Sequence, residues 1–290
     1  MKKILITGAT GFIGKNLLEY FLKKNFFIFA TLRKSKKNIE FAKKHKVNKK
    51  FKSIIFANIY DLRKQLSNYK IDYIVHAATH YVKKHKPSDV NKIIESNILF
   101  PTIITDLLCN KKIKKFINFG TVWQHYNNKK DYAYNLYASS KQAFNNVLNY
   151  YKNRFSETKF YNLLISDTFG KNDERKKLIP IIVKNYNKKN TINIPKNLSV
   201  NLVNVKYITN VIENIINKNI KPDTYVIKDK KNLKIFDLIN YLNQKLKIEI
   251  KINWTKNKSM NEKIINFKTI NFNKTYDIKK EILDLFNENI

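Results

Sequence analysis

The chain is short of the residues on which several classes of protein depend. It contains one cysteine in 290 residues, so no internal disulfide can form, and a reducing cytoplasmic compartment is expected. No apolar run approaches the roughly 18 residues that a membrane-spanning helix needs, and the run after Lys2 and Lys3 is broken by Thr7 and Gly8. The sequence therefore predicts neither a signal peptide nor membrane insertion. Cys109 lies in a helical pattern, where a buried and inert thiol is expected.

Acidic residues and arginine are also scarce. Lysine and arginine number 57 against 22 acidic residues, which gives a formal net charge of +35. Such an excess usually suggests nucleic acid or an acidic membrane as a partner. However, nearly all of these cations are dispersed lysines, whereas proteins that read nucleic acids favour arginine, and no zinc-finger or RNP-like pattern occurs. No nucleic-acid partner is predicted, although the charge could attract an anionic ligand.

Glycine is rare too, yet it is concentrated at one place. The chain has five glycines, and Gly8, Gly11 and Gly14 fall in one short window between an apolar run and a helical pattern. Gly8 can take the positive φ of a tight turn, Gly11 lets the backbone approach a pyrophosphate, and Gly14 lets a helix pack closely on a strand. The helix would then direct its free N–H groups at the phosphates. This context favours a dinucleotide-binding unit over an ordinary loop.

Short β-branched and aromatic runs alternate with helical patterns along the chain. Strands are predicted at residues 4–6, 26–31, 53–56, 73–76, 116–119 and 160–165, and helices at 14–24, 61–66, 90–109 and 136–154. This alternation predicts an α/β fold with a doubly wound parallel (Rossmann) sheet that binds ligands at the carboxyl ends of its strands. A looser pattern follows, with helices at 178–187, 207–218 and 235–245 and strands at 225–227 and 248–252.

The change of pattern suggests two regions. Residues 1–167 are predicted to form an NAD(P)-binding Rossmann domain, and residues 168–290 a smaller C-terminal substrate-binding region with a soft boundary. The Gly-x-x-Gly-x-x-Gly spacing resembles the short-chain dehydrogenase/reductase superfamily. The segment Thr-Gly-Ala-Thr-Gly-Phe-Ile-Gly resembles its extended branch, the NAD-dependent epimerase/dehydratase family, which acts largely on nucleotide sugars. The resemblance implies interleaved regions and a homodimer formed through helices 90–109 and 136–154.

Tyr137 and Lys141 match the Tyr-x-x-x-Lys pair of that superfamily, and a spacing of four places both on one helix face. The spacing alone is weak, and Tyr126 with Lys130 is the nearest rival, but that pair lies in a polar loop pattern. A neighbouring ammonium is expected to lower the pKa of the Tyr137 phenol toward physiological pH, so that it can transfer a proton. Thr121 would hydrogen-bond the same substrate oxygen.

The resemblance assigns further site residues. Asn97 resembles the helix asparagine that supports the catalytic residues, although an ordinary polar helix residue is the alternative. Lys141 would also hold the nicotinamide ribose. The predicted cofactor site comprises Gly8, Thr10, Gly11, Phe12, Ile13, Gly14, Arg33, Asn58, His76, Ala77, Ala78, Tyr137 and Lys141. No metal site is predicted, because the histidines lack carboxylate or cysteine partners at ligand spacing.

The choice of cofactor depends on the residues after the second strand. Enzymes that hold NAD by its ribose hydroxyls usually place an acid there, whereas this chain has Arg33 followed by Lys34, Lys36 and Lys37. Cations suit a 2′-phosphate, so NADP(H) is the preferred cofactor, with NAD(H) possible. The alternative is that these residues are ordinary solvated charges.

Two segments resemble a subgroup of the family. Gly120-Thr121-x-Trp123-Gln124 and the segment 234–238 are similar to 4-ketoreductases of the CDP-abequose and CDP-paratose synthase type, which makes Thr121, Trp123 and Gln124 candidate substrate contacts. The acid pair of 4,6-dehydratases is absent. The resemblance implies NADPH-dependent reduction of a 4-keto-6-deoxy nucleotide sugar, suspected to be a CDP-sugar, for cell-surface polysaccharide. The alternatives are an NAD-dependent C4 epimerase and a non-catalytic, redox-sensing dinucleotide-binding protein.

Overall fold

The computed structural model describes residues 1–109, 112–188, 190–256, 267–270 and 276–288. The strands are β1 (Lys2–Thr7), β2 (Phe26–Arg33), β3 (Phe51–Phe56), β4 (Tyr73–His76), β5 (Lys115–Thr121), β6 (Lys159–Ile165), β7 (Asp167–Phe169), β8 (Ile192–Pro195), β9 (Ser199–Val200), β10 (Leu202–Asn204), β11 (Thr224–Ile227), β12 (Leu233–Lys234) and β13 (Ile252–Thr255). The helices are α1 (Phe12–Leu22), α2 (Lys36–Lys46), α3 (Ile59–Ser67), α4 (Val90–Ile94), α5 (Phe100–Cys109), α6 (Leu136–Arg154), α7 (Leu178–Asn187), α8 (Val205–Asn217), α9 (Ile235–Leu246) and α10 (Ile278–Asn287). A π-helical turn, Glu95–Leu99, joins α4 to α5.

Seven strands form one sheet in the order β11-β6-β5-β4-β1-β2-β3. All neighbouring pairs are parallel, as in the β1–β4 register that sets Thr7 beside His76. Because β1 pairs with both β2 and β4, the connections after β1 and β4 diverge and leave a crevice at their carboxyl ends. The predicted doubly wound parallel sheet is confirmed.

Helices cover both faces of this sheet. On one face α1 and α8 bury Leu18, Phe21 and Ile212 against it. On the other face α3, α5 and α6 do the same through side chains such as Ile104 and Phe144. Their apolar residues recur at helical spacing, so each helix presents one continuous stripe to the strands.

A third apolar cluster lies apart from the sheet. It joins α7, α9 and α10 through side chains such as Ile182, Leu238 and Phe286. However, β11 and α8, which lie within the predicted region 168–290, pack with the main sheet. The later part of the chain thus contributes to two cores. Residues 257–266 and 271–275 of that region lie outside the described residues.

Two local expectations were wrong or incomplete. The predicted strand at 248–252 does not form, because the N–H groups of Ile248 and Ile250 donate to Asn243 at the end of α9, at 3.2 and 3.0 Å; β13 begins at Ile252. Helix α2 was not predicted, because it is lysine-rich and buries only Ala42. Its start is nevertheless encoded, since Ser35 caps it by accepting from the Asn38 N–H at 3.2 Å. None of the described helices has the length and apolar character needed to cross a bilayer.

Candidate active site

The turn between β1 and α1 leaves no room for a side chain at two of its three glycines. Gly8 has φ +69°, and a Cβ there would lie 2.6 Å from the Ala78 backbone. A Cβ at Gly14 would lie 2.1 Å from the Gly8 carbonyl oxygen. At Gly11, in contrast, a Cβ would meet that oxygen at 3.3 Å and, among the described residues, nothing else within 4 Å. The turn is therefore closed against the sheet at Gly8 and Gly14 and open at Gly11, as a bound pyrophosphate requires.

This turn opens onto a cavity of about 940 Å³ at the carboxyl ends of the central strands. We call its part on the β1–β2–β3 side, lined by residues 8, 10–14, 31–33, 38 and 56, the cofactor end. We call its part on the β4–β5–β6 side, lined by residues 79–83, 119–123, 137, 141, 165–168 and 175–177, the catalytic end. The two ends form one continuous space across the point where the strand order reverses.

Most of the predicted site residues line this cavity. They are Gly8, Thr10, Gly11, Phe12, Ile13, Gly14, Arg33, Ala77, Ala78, Thr121, Trp123, Tyr137 and Lys141. Four others, Asn58, His76, Asn97 and Gln124, do not line it. Asn58 is exposed, and its side chain caps α3 by accepting from the Asp61 N–H at 3.0 Å.

The side chains of His76, Asn97 and Gln124 lie behind the cavity wall, and those of Asn97 and Gln124 hydrogen-bond to residues that form it. His76 is fully buried, with its Nδ1 2.8 Å from Thr7 Oγ1, and burial together with Lys141 keeps its pKa well below the usual value. Gln124 accepts from the Thr121 N–H at 2.9 Å and donates to Gln142 Oε1 at 2.8 Å, so it fixes Thr121 rather than facing the cavity.

Lys141 is 2% exposed, and burial lowers its pKa to about 8. No carboxylate of the described residues pairs with it within 4.0 Å. A buried ammonium without a counterion is costly unless oxygen atoms accept its protons. Since its side chain lines the cavity beside Tyr137, ribose hydroxyls would supply such acceptors. The residues present thus fit a nicotinamide dinucleotide.

Tyr137 also lines the cavity, near the start of α6. Burial and the neighbouring Tyr81 raise the pKa of its phenol, and the influence of the Thr79 hydroxyl, which lowers this pKa, does not reverse that shift. The expectation that Lys141 lowers this pKa is therefore wrong for the protein without nucleotide, because burial outweighs the nearby charges. A protonated phenol at neutral pH is suited to donating a proton.

An aromatic and charged cluster at the catalytic end was not predicted. Lys177 Nζ lies 2.8 Å from Asp167 Oδ1, 4.6 Å from the centre of the Tyr81 ring and 5.4 Å from that of Trp123. The Tyr81 ring in turn meets Tyr137 edge-on at 5.0 Å. Burial lowers the pKa of Lys177, but Asp167 outweighs it and the net pKa is raised. Tyr81 and Lys177 stand 96 residues apart, so no local pattern could have paired them.

Arg175 closes the cavity where its two ends meet. Its guanidinium lies 4.0 Å from the centre of the Phe12 ring and donates to Asp173 at 2.7 and 2.8 Å. It also donates to the Thr168 carbonyl oxygen at 2.7 Å. These contacts tie the segment after β7 to the first turn of α1, beside the predicted phosphate site.

The cofactor end lacks acids among its described lining residues. Arg33 Nη2 donates to Ser96 Oγ at 3.2 Å, and Asn38 donates to the Arg33 carbonyl oxygen at 2.7 Å. Of the basic run 33–37 only Arg33 lines the cavity, because Lys36 and Lys37 begin α2. No cluster of three or more His, Cys, Asp or Glu side chains that could hold a metal ion occurs in the described part of the chain.

Comparison with known proteins agrees with this geometry. A model of the NAD dependent epimerase/dehydratase family matches residues 4–227. The chain belongs to this family. The match runs from within β1 to the end of β11 and includes the glycine turn and the Tyr137–Lys141 pair.

Relatives within the epimerase/dehydratase family include a CDP-abequose synthase of Salmonella muenchen, 31% identical over 185 residues, or 63% of this chain and 59% of that enzyme. The aligned region thus spans about three fifths of the relative's length. Among solved structures, a UDP-glucuronic acid 4-epimerase from Bacillus cereus superposes with a TM-score of 0.80 at 16% identity, over 99% of both chains. A dTDP-glucose 4,6-dehydratase from Bacillus anthracis superposes equally well, with a TM-score of 0.80 at 15% identity over 100% and 97% of the chains. At these identities the structures establish the family fold.

Proposed function

We propose that this family member reduces the 4-keto group of a 4-keto-6-deoxy nucleotide sugar with NADPH, in the synthesis of a cell-surface polysaccharide of the O-antigen type. The observation that carries the proposal is the placement of Thr121, Tyr137 and Lys141 on one cavity that continues into the glycine turn. Similarity to CDP-abequose synthases supports a CDP-sugar as the substrate class.

The side chains of the catalytic end have separate roles in this reaction. Bound NADPH supplies a hydride to the carbonyl carbon. Tyr137, protonated at neutral pH, donates its proton to the carbonyl oxygen, which becomes the new hydroxyl. Thr121 Oγ1 accepts from the Trp123 N–H at 3.3 Å, which leaves its own proton free to hydrogen-bond the same oxygen. Lys141 holds the ribose and places positive charge beside the phenol.

The charge of the cavity supports two anionic ligands. Its described cationic side chains are Arg33, Lys83, Lys141, Arg175, Lys176 and Lys177. Asp167 is the one carboxylate on the described wall, and Lys177 neutralises it. NADPH and a nucleoside diphosphate sugar each carry several negative charges. The excess of positive charge on the cavity wall would therefore attract both ligands.

The preference for NADPH rests on the cofactor end. Arg33 is exposed there and lines the cavity, where it could contact a 2′-phosphate. The described lining residues of this end include no carboxylate to accept from the ribose 2′-hydroxyl.

The proposal extends to the organisation of the protein. Residues 168–290, apart from α8 and β11, would hold the sugar nucleotide, since Arg175 and Lys177 belong to this region. A homodimer would form through helices α4–α5 and α6. A reducing cytoplasm suits the single cysteine, whose thiol is buried and has its pKa raised to about 12 mainly by burial.

The direct test is an absorbance assay. Purified protein, NADPH and a CDP-4-keto-6-deoxyhexose should give loss of one NADPH per sugar reduced, with UDP- and dTDP-linked analogues as the comparison. Interconversion of two C4 epimers without net consumption of cofactor would instead assign the C4 epimerase reaction. Binding of nucleotide with neither reaction would favour the non-catalytic alternative.

A further inference from the structure

Thr121 is held by a chain of side-chain hydrogen bonds that leads away from the cavity. Its backbone N–H donates to Gln124 Oε1 at 2.9 Å. Gln124 Nε2 in turn donates to Gln142 Oε1 at 2.8 Å, and Gln142 Nε2 donates to Asp131 Oδ1 at 3.2 Å. Gln142 does not line the cavity, and nothing in the sequence motifs singles it out.

The chain joins the two elements that carry the proposed catalytic side chains. Thr121 ends β5, whereas Gln142 directly follows Lys141 on α6, the helix that also carries Tyr137. The hydrogen bond between Gln124 and Gln142 therefore ties the end of the strand to the helix. It helps to set where Thr121 lies relative to the phenol and the ammonium.

The direction of the chain follows from counting donors and acceptors. A carboxylate can only accept, so Asp131 takes the Nε2 end of Gln142 and leaves the Oε1 end to face Gln124. That oxygen requires the Nε2 end of Gln124, so the Oε1 end of Gln124 meets the Thr121 N–H. With the Gln124 amide reversed, a donor would face the Thr121 N–H. Because Gln124 is fully buried, solvent could not compensate for that loss.

Both ends of the chain have little freedom to rearrange. A Cβ at Gly120 would lie 2.6 Å from Gln124 Oε1, so this amide fills space that only a glycine leaves open. At the other end, the backbone N–H of Asp131 donates to His125 Nδ1 at 3.1 Å. Gln142 is thus the link on which the direction of the chain depends.

We propose that Gln142 is a positioning residue for Thr121, because its carbonyl oxygen fixes the orientation of the Gln124 amide and so aligns Thr121 with Tyr137. The inference rests on the proposed function, in which Thr121 hydrogen-bonds the oxygen that Tyr137 protonates. No proton moves along the chain, since each amide keeps its own protons.

The test compares Gln142→Leu, which removes the acceptor, with Gln142→Glu, which keeps an oxygen at that place. Misplacement of Thr121 predicts a fall in kcat of about 10–10²-fold in Gln142→Leu, with the affinity for NADPH nearly unchanged. Gln142→Glu should restore most of the lost kcat. Wild-type kcat in Gln142→Leu, or an equal loss in both variants, would overturn the inference. Gln142→Ala provides a second variant without the acceptor if Gln142→Leu folds poorly.

A double-mutant cycle shows whether Gln142 acts through Thr121. Thr121→Val removes the hydroxyl that meets the substrate oxygen, so adding Gln142→Leu to it should lower kcat little further. The same fold-loss of kcat in the wild-type and Thr121→Val backgrounds would contradict the inference. The matched control is Gln65→Leu, because Gln65 is a half-buried glutamine of α3, away from the cavity, whose Nε2 donates to Asp61 Oδ1 at 2.8 Å. It should leave kcat unchanged.

A second readout needs no activity. In protein labelled with ¹⁵N-threonine, Gln142→Leu should move the Thr121 amide resonance, assigned by its loss in Thr121→Val, whereas Gln142→Glu and Gln65→Leu should move it little. An unmoved resonance in Gln142→Leu would contradict the chain itself. If the resonance moves but the wild-type protein reduces no sugar nucleotide, the chain stands and the proposed reaction fails.

Discussion

The two ends of the cavity are built by different means. The cofactor end is built around a backbone turn in which Gly8 and Gly14 have no room for a Cβ. The catalytic end consists of side chains brought together from distant segments, such as Tyr81, Tyr137 and Lys177. Backbone recognition suits the pyrophosphate that all dinucleotides share, whereas side chains can be exchanged to suit different sugars. This difference predicts that substitutions at the cofactor end and at the catalytic end impair different properties of the protein.

The largest effect is expected at the catalytic end. Tyr137→Phe keeps the ring and removes the proton donor, so kcat should fall by about 10²–10⁴-fold while the affinity for NADPH stays nearly unchanged. Steady-state kinetics and a binding titration check this. The matched variant is Tyr126→Phe, whose tyrosine is buried outside the cavity lining and which should keep wild-type turnover. Near wild-type turnover in Tyr137→Phe would remove Tyr137 from the mechanism.

At the cofactor end, two glycines should separate folding from binding. Gly8→Ala combines a positive φ with contacts to backbone at 2.6 Å, so the free energy of unfolding should fall by about 2–5 kcal/mol. Gly11→Ala meets only one atom at 3.3 Å and should change that free energy by less than about 1 kcal/mol, but weaken NADPH binding at least about tenfold. Urea unfolding and titration measure the two quantities. Equal loss of stability in both variants would contradict the distinction.

The buried lysine should lower the stability of the protein when no nucleotide is bound. The pKa of Lys141 is about 8 in the folded protein against 10.5 unfolded. The unfolded chain therefore binds more protons between these values, and the contribution of Lys141 to stability rises with pH from about 8 to 10.5. Below pH 8 its burial costs up to about 3 kcal/mol, so Lys141→Met should raise the melting temperature of nucleotide-free protein at pH 7 while abolishing turnover.

This stabilisation should disappear toward pH 10.5, where the lysine is neutral in both states. Lys152→Met, which removes an exposed lysine of the same helix, should not stabilise the protein. Calorimetry at pH 7 and pH 10 separates the variants. A lower melting temperature of Lys141→Met at pH 7 would contradict this account, because it would mean that the ammonium stabilises the nucleotide-free protein.

The smallest effect concerns the choice of cofactor. Arg33→Asp should shift the ratio of NADPH to NADH affinity by about 10–10²-fold toward NADH, because the carboxylate repels a 2′-phosphate and accepts from a ribose hydroxyl. Lys34→Asp makes the same change of charge outside the cavity lining and should leave the ratio unaltered. Affinities measured at moderate salt test this. A wild-type protein that binds both cofactors equally would contradict the assigned preference.

The contrast between the two ends also explains what the sequence could predict. Local sequence patterns encode the glycine turn and the strands of the sheet, and both were predicted. The pair Tyr137 and Lys141 was predicted from its motif. Trp123 was predicted on the same basis, but Gln124 in the same motif faces the opposite way, because its amide completes the cap at Thr121. The sequence could not predict that Thr79, Tyr81, Asp167 and Lys177 belong to the site. Their place in it depends on contacts between segments that are distant in the chain. Burial likewise set the pKa of Tyr137, which a motif does not encode.

The most direct measurement of the proposed chemistry is the fate of the hydride. NADPH carrying deuterium at C4 of its nicotinamide is incubated with protein and a CDP-4-keto-6-deoxyhexose, and the product sugar is analysed by NMR and mass spectrometry. The account predicts one deuterium on C4 of the sugar for each NADPH consumed, and no transfer in Tyr137→Phe over the same time. A C4-epimerised sugar that carries no label, formed without loss of NADPH, would contradict it.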